Sequence, residues 1–118
     1  MQYLLMIYAN EREHAAMGEA ALAAMTQEYA EFTKSIIQTG NLKAGDRLRP
    51  VSTASTVRVR NGKVMTTDGP FAETREQLGG YYLVEAKNLD EALGLAARIP
   101  GGRYGSVEVR PIWVLGER

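Results

Sequence analysis

The stretch Thr56-Val57-Arg58-Val59-Arg60-Asn61-Gly62-Lys63-Val64-Met65-Thr66-Thr67 leaves the backbone few choices. Asn-Gly stands between two runs in which β-branched residues alternate. A type I′ turn needs positive φ at both of its central residues, and Asn-Gly supplies that best. The spacing predicts a tight antiparallel hairpin.

Other elements flank it. Residues 2–8 read as a buried strand, with apolar or aromatic residues on both faces. Leu22, Met25, Tyr29, Phe32 and Ile36 recur every three or four residues, the stripe of an amphipathic helix ending at Gly40-Asn41. A short strand is expected over Leu42–Leu48 and another over Leu78–Ala86. Asn88 opens a second helix with Glu91 three residues on, and Leu89, Leu93, Ala96 and Ala97 form its expected buried stripe. Pro100-Gly101-Gly102 closes it, and a last strand covers Val107–Val114, with Pro111 marking an edge or bulge.

The order is β-α-β, an inserted hairpin, then β-α-β. It implies a single α+β domain over 1–118 of the ferredoxin-like split βαβ type. Two helices cover one sheet face only. Tyr3, Leu5 and Ile7 alternate with Leu4, Met6 and Tyr8, so the opposite face is partly apolar. This predicts a homodimer with sheets packed face to face and any pocket partly shaped by the partner.

Fourteen basic residues balance fourteen acidic ones, so the basic excess of nucleic-acid binders is missing and direct nucleic-acid binding is not expected. The absence of cysteine excludes disulfides and thiolate metal sites. The opening apolar run is too short for a membrane span and lacks the basic lead-in of a signal peptide, so a cytoplasmic protein without membrane contact is expected.

The segment Thr67–Tyr82 holds more chemistry than a connection requires. In Asp68-Gly69-Pro70, Asp68 can organise the turn by accepting from a backbone N–H two residues on, or act as a base or ligand acceptor at a pocket mouth. Phe71 is a core plug or a stacking platform for a ligand. Arg75 is either part of a solvated cluster with Glu73 and Glu76, or a bidentate clamp for a carboxylate or phosphate. Two carboxylates without histidine do not predict a metal site. Gly79-Gly80 lacks any nucleotide-loop pattern and reads as a bulge or a close backbone approach, so no cofactor is expected. Tyr81 and Tyr82 point to opposite faces. Arg58, Arg60 and Arg110 lie on strands, where Glu85 or Glu108 can neutralise an arginine, and Trp113 is expected in the core or an interface.

The Asp68–Tyr82 segment resembles the signature of the YCII-related family in its DGPF-domain branch. The resemblance extends to Ile7-Tyr8, the Thr56–Arg60 strand and Gly105-Ser106-Val107-Glu108-Val109-Arg110-Pro111. It implies a ferredoxin-like subunit in a dimeric α/β-barrel-type assembly, and association with sigma factors as in some members. YCII-like relatives carry a histidine on the first long helix and an aspartate after the second. This chain has Glu28 and Tyr29 near the former place and Ile99 at the latter, and its single histidine, His14, lies earlier. The histidine–aspartate pair does not transfer.

Three readings follow. The first is a binding domain for a small polar or anionic ligand, using Asp68, Gly69, Pro70, Phe71, Arg75, Gly79, Gly80, Tyr81 and Arg110. The second is an enzyme using acid–base chemistry through Asp68 or Glu28 with Tyr29 or Tyr81. The third is an interaction module in transcription regulation. A buried carboxylate in a cleft favours the enzyme, and a roomy pocket holding Arg75 or Arg110 favours ligand binding.

Overall fold

Alternation along the first strand decides how the layers form. In the computed structural model, which describes residues 1–116, β1 (Gln2–Ala9) turns Tyr3, Leu5 and Ile7 toward the helices and Leu4, Met6 and Tyr8 away from them. It is followed by α1 (Glu11–Ala15), α2 (Glu19–Gln38), β2 (Leu42–Arg47), β3 (Ser55–Arg60), β4 (Lys63–Asp68), β5 (Gln77–Glu85), α3 (Leu89–Ala97) and β6 (Ser106–Pro111). Short 3-10 turns lie at Val51–Thr53 and Pro100–Arg103. The architecture is α+β. A four-stranded antiparallel sheet has the order β2-β5-β1-β6, and β3 and β4 form a separate two-stranded sheet. No described helix is long and apolar enough to cross a membrane.

The core lies between the sheet and the two longer helices. Leu5, Ile36 and Val84 are fully buried, beside Tyr3, Phe32, Ala92, Leu95, Ala96 and Ile99. Phe32 meets Tyr82 edge-on with ring centroids 5.3 Å apart, and the Tyr82 hydroxyl is 2.7 Å from Thr33 Oγ1. Tyr81 points to the other face, where its hydroxyl donates to Asp46 Oδ2 at 2.7 Å. On the same face Arg110 pairs with Glu108 at 2.5 Å.

Local signals hold at the Asn61-Gly62 turn, at the end of α2 and at the N-cap of α3. Asn61 and Gly62 have φ of 52° and 75°, the type I′ values. Gly40 takes φ 78°, and Asn41 N–H returns to the Ile36 carbonyl at 2.9 Å. Asn88 accepts from Glu91 N–H at 2.9 Å, but the Glu91 carboxylate bonds Asn41 Nδ2 instead of closing the capping box.

The expected stripe of α3 is corrected. Ala92, Leu95 and Ala96 are buried with the following Ile99, whereas Leu89, Leu93 and Ala97 are exposed. Two overlapping stripes share Ala96. The one that packs presents alanines, which let the helix sit close to the sheet, and continues into Ile99. Phe71 is not a core plug, being 79% exposed, and Trp113 is likewise outside the core. The last strand ends at Pro111 on a sheet edge, where a missing N–H costs no ladder bond.

Candidate functional site

Polar side chains gather where β1 ends and β5 and β6 begin. Asn10 caps α1, its Oδ1 accepting from Glu13 N–H at 3.0 Å, while its Nδ2 donates to the Arg75 carbonyl at 3.0 Å. One side chain therefore joins the helix start to the loop before β5. Glu11 N–H donates to Gln77 Oε1 at 2.9 Å, and Gln77 Nε2 donates to the Thr74 carbonyl at 2.5 Å. Thr74 Oγ1 reaches the Glu76 carbonyl at 2.6 Å, and Ser106 Oγ donates to Glu76 Oε1 at 2.8 Å. The Glu11 carboxylate accepts from Val51 N–H at 3.1 Å. Residues 74–77 are thus pinned from three directions.

The result is an open depression of about 520 Å³ lined by Asn10, Glu13, Arg75, Glu76 and Tyr104. Arg103 stacks over the Tyr104 ring, 5.6 Å from its centroid, and pairs with Glu28 at 2.5 Å. That carboxylate raises the pKa of the Arg103 guanidinium. None of the ion pairs found among the described residues involves Arg75. Its bidentate fork is suited to a carboxylate or phosphate.

The turn that precedes Tyr104 is fixed by α2 and β1. The Tyr29 hydroxyl accepts from Gly101 N–H at 3.1 Å. Burial raises the Tyr29 pKa, opposed in part by that N–H, which keeps the phenol neutral in the ordinary pH range. A Cβ on Gly101 would run into the Tyr29 hydroxyl and stand 3.1 Å from Ile7 Cγ2, and one on Gly105 would run into the Tyr8 carbonyl. The segment after α3 is built of glycine because it packs directly on α2 and β1.

The remaining candidate residues are distributed elsewhere. Asp68, Gly69, Pro70, Phe71, Gly79, Gly80, Tyr81, Arg110, Glu28 and Tyr29 are not among the depression's lining residues. Asp68 ends β4, with its side chain exposed. The local bond expected of it cannot form, because the residue two positions on is Pro70, which has no N–H. The turn is made by the backbone instead. Gly69 takes φ 97° and donates to the Ala54 carbonyl at 2.7 Å. Gly79 is the extra residue of a bulge, since Ile7 pairs with Gly80 and Tyr8 with Leu78. A Cβ on Gly80 would stand 2.9 Å from the Asp46 carbonyl oxygen, so this glycine admits β2 to the ladder. Asn10, Glu13 and Tyr104 escaped the sequence reading. Only Asn10 carried a signal, an N-cap residue three positions before an acid in Asn10-Glu11-Arg12-Glu13.

The YCII-related domain model matches residues 1–115. An uncharacterized protein of Rhizobium meliloti (strain 1021) is 34% identical over 114 residues, which cover 95% of this chain and 92% of that protein.

Proposed function

Because the chain belongs to the YCII-related family, we propose that it binds a small polar organic ligand, anionic at one end, in the depression that Arg75 lines. The observation that carries this reading is Arg75, a cation without an ion pair among the described residues, at the edge of this open depression. Glu13 and Glu76 also line it, so a ligand bearing both an acid and a hydrogen-bond donor fits the lining. An open polar depression buries little of its ligand, and a dissociation constant of roughly 0.1–1 mM is expected.

Acid–base catalysis through Asp68, or through Glu28 with Tyr29 or Tyr81, has less support. No polar or charged residue is buried among the described residues. Glu28 is held by Arg103, and the Tyr29 hydroxyl is tied to a backbone N–H.

The strand order β2-β5-β1-β6, with β1 and β2 both antiparallel to the β5 between them, supports the ferredoxin-like split βαβ arrangement. Asp68-Gly69-Pro70-Phe71 supports the DGPF branch. The sheet face of Leu4, Met6, Tyr81 and Leu83, which no helix covers, supports a homodimer of the barrel type.

A thermal-shift screen of small carboxylates, amino acids and phosphate monoesters, followed by calorimetry of the hits, tests the binding reading. Arg75→Ala should weaken a hit tenfold or more, and Arg75→Lys should restore part of that, since lysine keeps the charge without the fork. Hits with equal affinity for wild type and Arg75→Ala would refute binding at this depression.

A further inference from the structure

The β3–β4 hairpin projects from the body of the subunit. Neither of its strands joins the main sheet, and every residue of β4 is exposed. It is fastened at its base, where Gly69 N–H meets the Ala54 carbonyl, Thr56 Oγ1 donates to the Gly69 carbonyl at 2.8 Å, and Arg58 Nη2 reaches the Phe71 carbonyl at 3.4 Å. The radius of gyration is 16.4 Å, against about 13.5 Å for a compact chain of this length. The principal extents of 48 × 47 × 19 Å describe a flat molecule.

The two faces of this arm differ. The register sets Val59 opposite Val64 and Val57 opposite Thr66, so the three valines share a face, and they are 59% (Val57), 58% (Val59) and 72% (Val64) exposed. The reverse face carries Arg58, Arg60, Lys63 and Met65. A two-stranded hairpin is at best marginally stable in water, and one that holds a row of valines into solvent lacks the cover it needs.

We propose that the arm is exchanged between two copies of this chain, each laying its valine face against the other subunit beside the open sheet face. The inference rests on the homodimer reading and adds the element that completes the contact. Area favours a second copy as the occupant. At ordinary strand spacings the open sheet face covers roughly 450 Å² and one arm face about 200 Å². A stable interface takes about 800 Å² from each partner, about 600 Å² at the low end. The sheet face alone falls short, and the arm brings the contact into range.

The chain has no cysteine, which makes the test direct. Val59→Cys, carrying a benzophenone maleimide, is mixed with isotope-labelled wild type and irradiated. Mass spectrometry should find cross-links from the arm to residues 42–47 or 106–111, the edge strands, of the other copy. Cross-links confined to the arm's own chain would overturn the proposal. In parallel, sedimentation should show the dimer dissociation constant weakened tenfold or more in the Val57→Asp/Val59→Asp double variant. The arm lies outside the core, so far-UV circular dichroism should stay native. A monomeric wild type would overturn both the dimer and the exchange. A wild-type dimer that the double variant leaves intact would overturn the exchange alone.

Discussion

The four-stranded sheet and the β3–β4 arm are written in the same alphabet and meet opposite fates. Both pair their strands antiparallel, and in both successive side chains alternate between two faces. In the sheet, Leu5 and Val84 are fully buried under α2 and α3, while in the arm Val57, Val59 and Val64 face solvent. The difference lies in what each strand has beside it. A strand pairs by local pattern, but burial needs a second layer, and two helices cover one face of one sheet.

The contrast breaks most cleanly through the core. Leu5→Ala should cost about 2–5 kcal/mol in a denaturant titration, because the site is fully enclosed and cannot refill, whereas Val59→Ala should stay within about 0.5 kcal/mol in the isolated subunit. A large effect at Val59 that grows with protein concentration would mean that the arm is buried by association.

Gly101→Ala comes next, at about 1–3 kcal/mol, since its Cβ has no room beside the Tyr29 hydroxyl. In a Tyr29→Phe background that cost should shrink, giving a coupling of about 1 kcal/mol in a double-mutant cycle. Additive effects would place the obstruction at Ile7 instead. Tyr29 also sharpens the alkaline limb of stability. Its folded-state pKa is raised above 10.0 by burial, so its contribution is complete below pH 10 and is lost as pH climbs through the raised value. Melting curves at increasing pH should fall more steeply for wild type than for Tyr29→Phe.

Gly62→Val should cost about 1–2 kcal/mol, because a β-branched residue resists φ near the observed 75°. Amide exchange should localise the loss to the arm. Asp68→Asn is the smallest of these, within about 0.5 kcal/mol by thermal denaturation, because the exposed carboxylate has no N–H at Pro70 to accept from. A loss of several kcal/mol would reveal a turn role that the geometry does not contain.

Of the residues that line the depression, Arg75 and Glu76 were singled out in the sequence, as members of a solvated charge cluster or, for Arg75, as a clamp. The site's other walls come from residues far apart in sequence. Tyr104 follows a helix closure, Glu13 lies in the short helix α1, and Asn10, an N-cap by its sequence, also holds the Arg75 carbonyl through its amide. No local window contains that juxtaposition.

What the chain determined by itself was local and steric. Asn61-Gly62 could scarcely do other than turn, Gly40 ended α2, Asn88 began α3, and alternation sorted Tyr81 from Tyr82 across the sheet. Each of these is settled by dihedral freedom or hydrogen bonding within a few residues. Only the tertiary structure chose between the two stripes of α3, left Phe71 and the arm valines in solvent, and required glycine at positions 80, 101 and 105. Those outcomes depend on which surfaces approach, and at what separation, across tens of residues of chain. Packing is a property of pairs of elements, and a sequence pattern describes one element at a time.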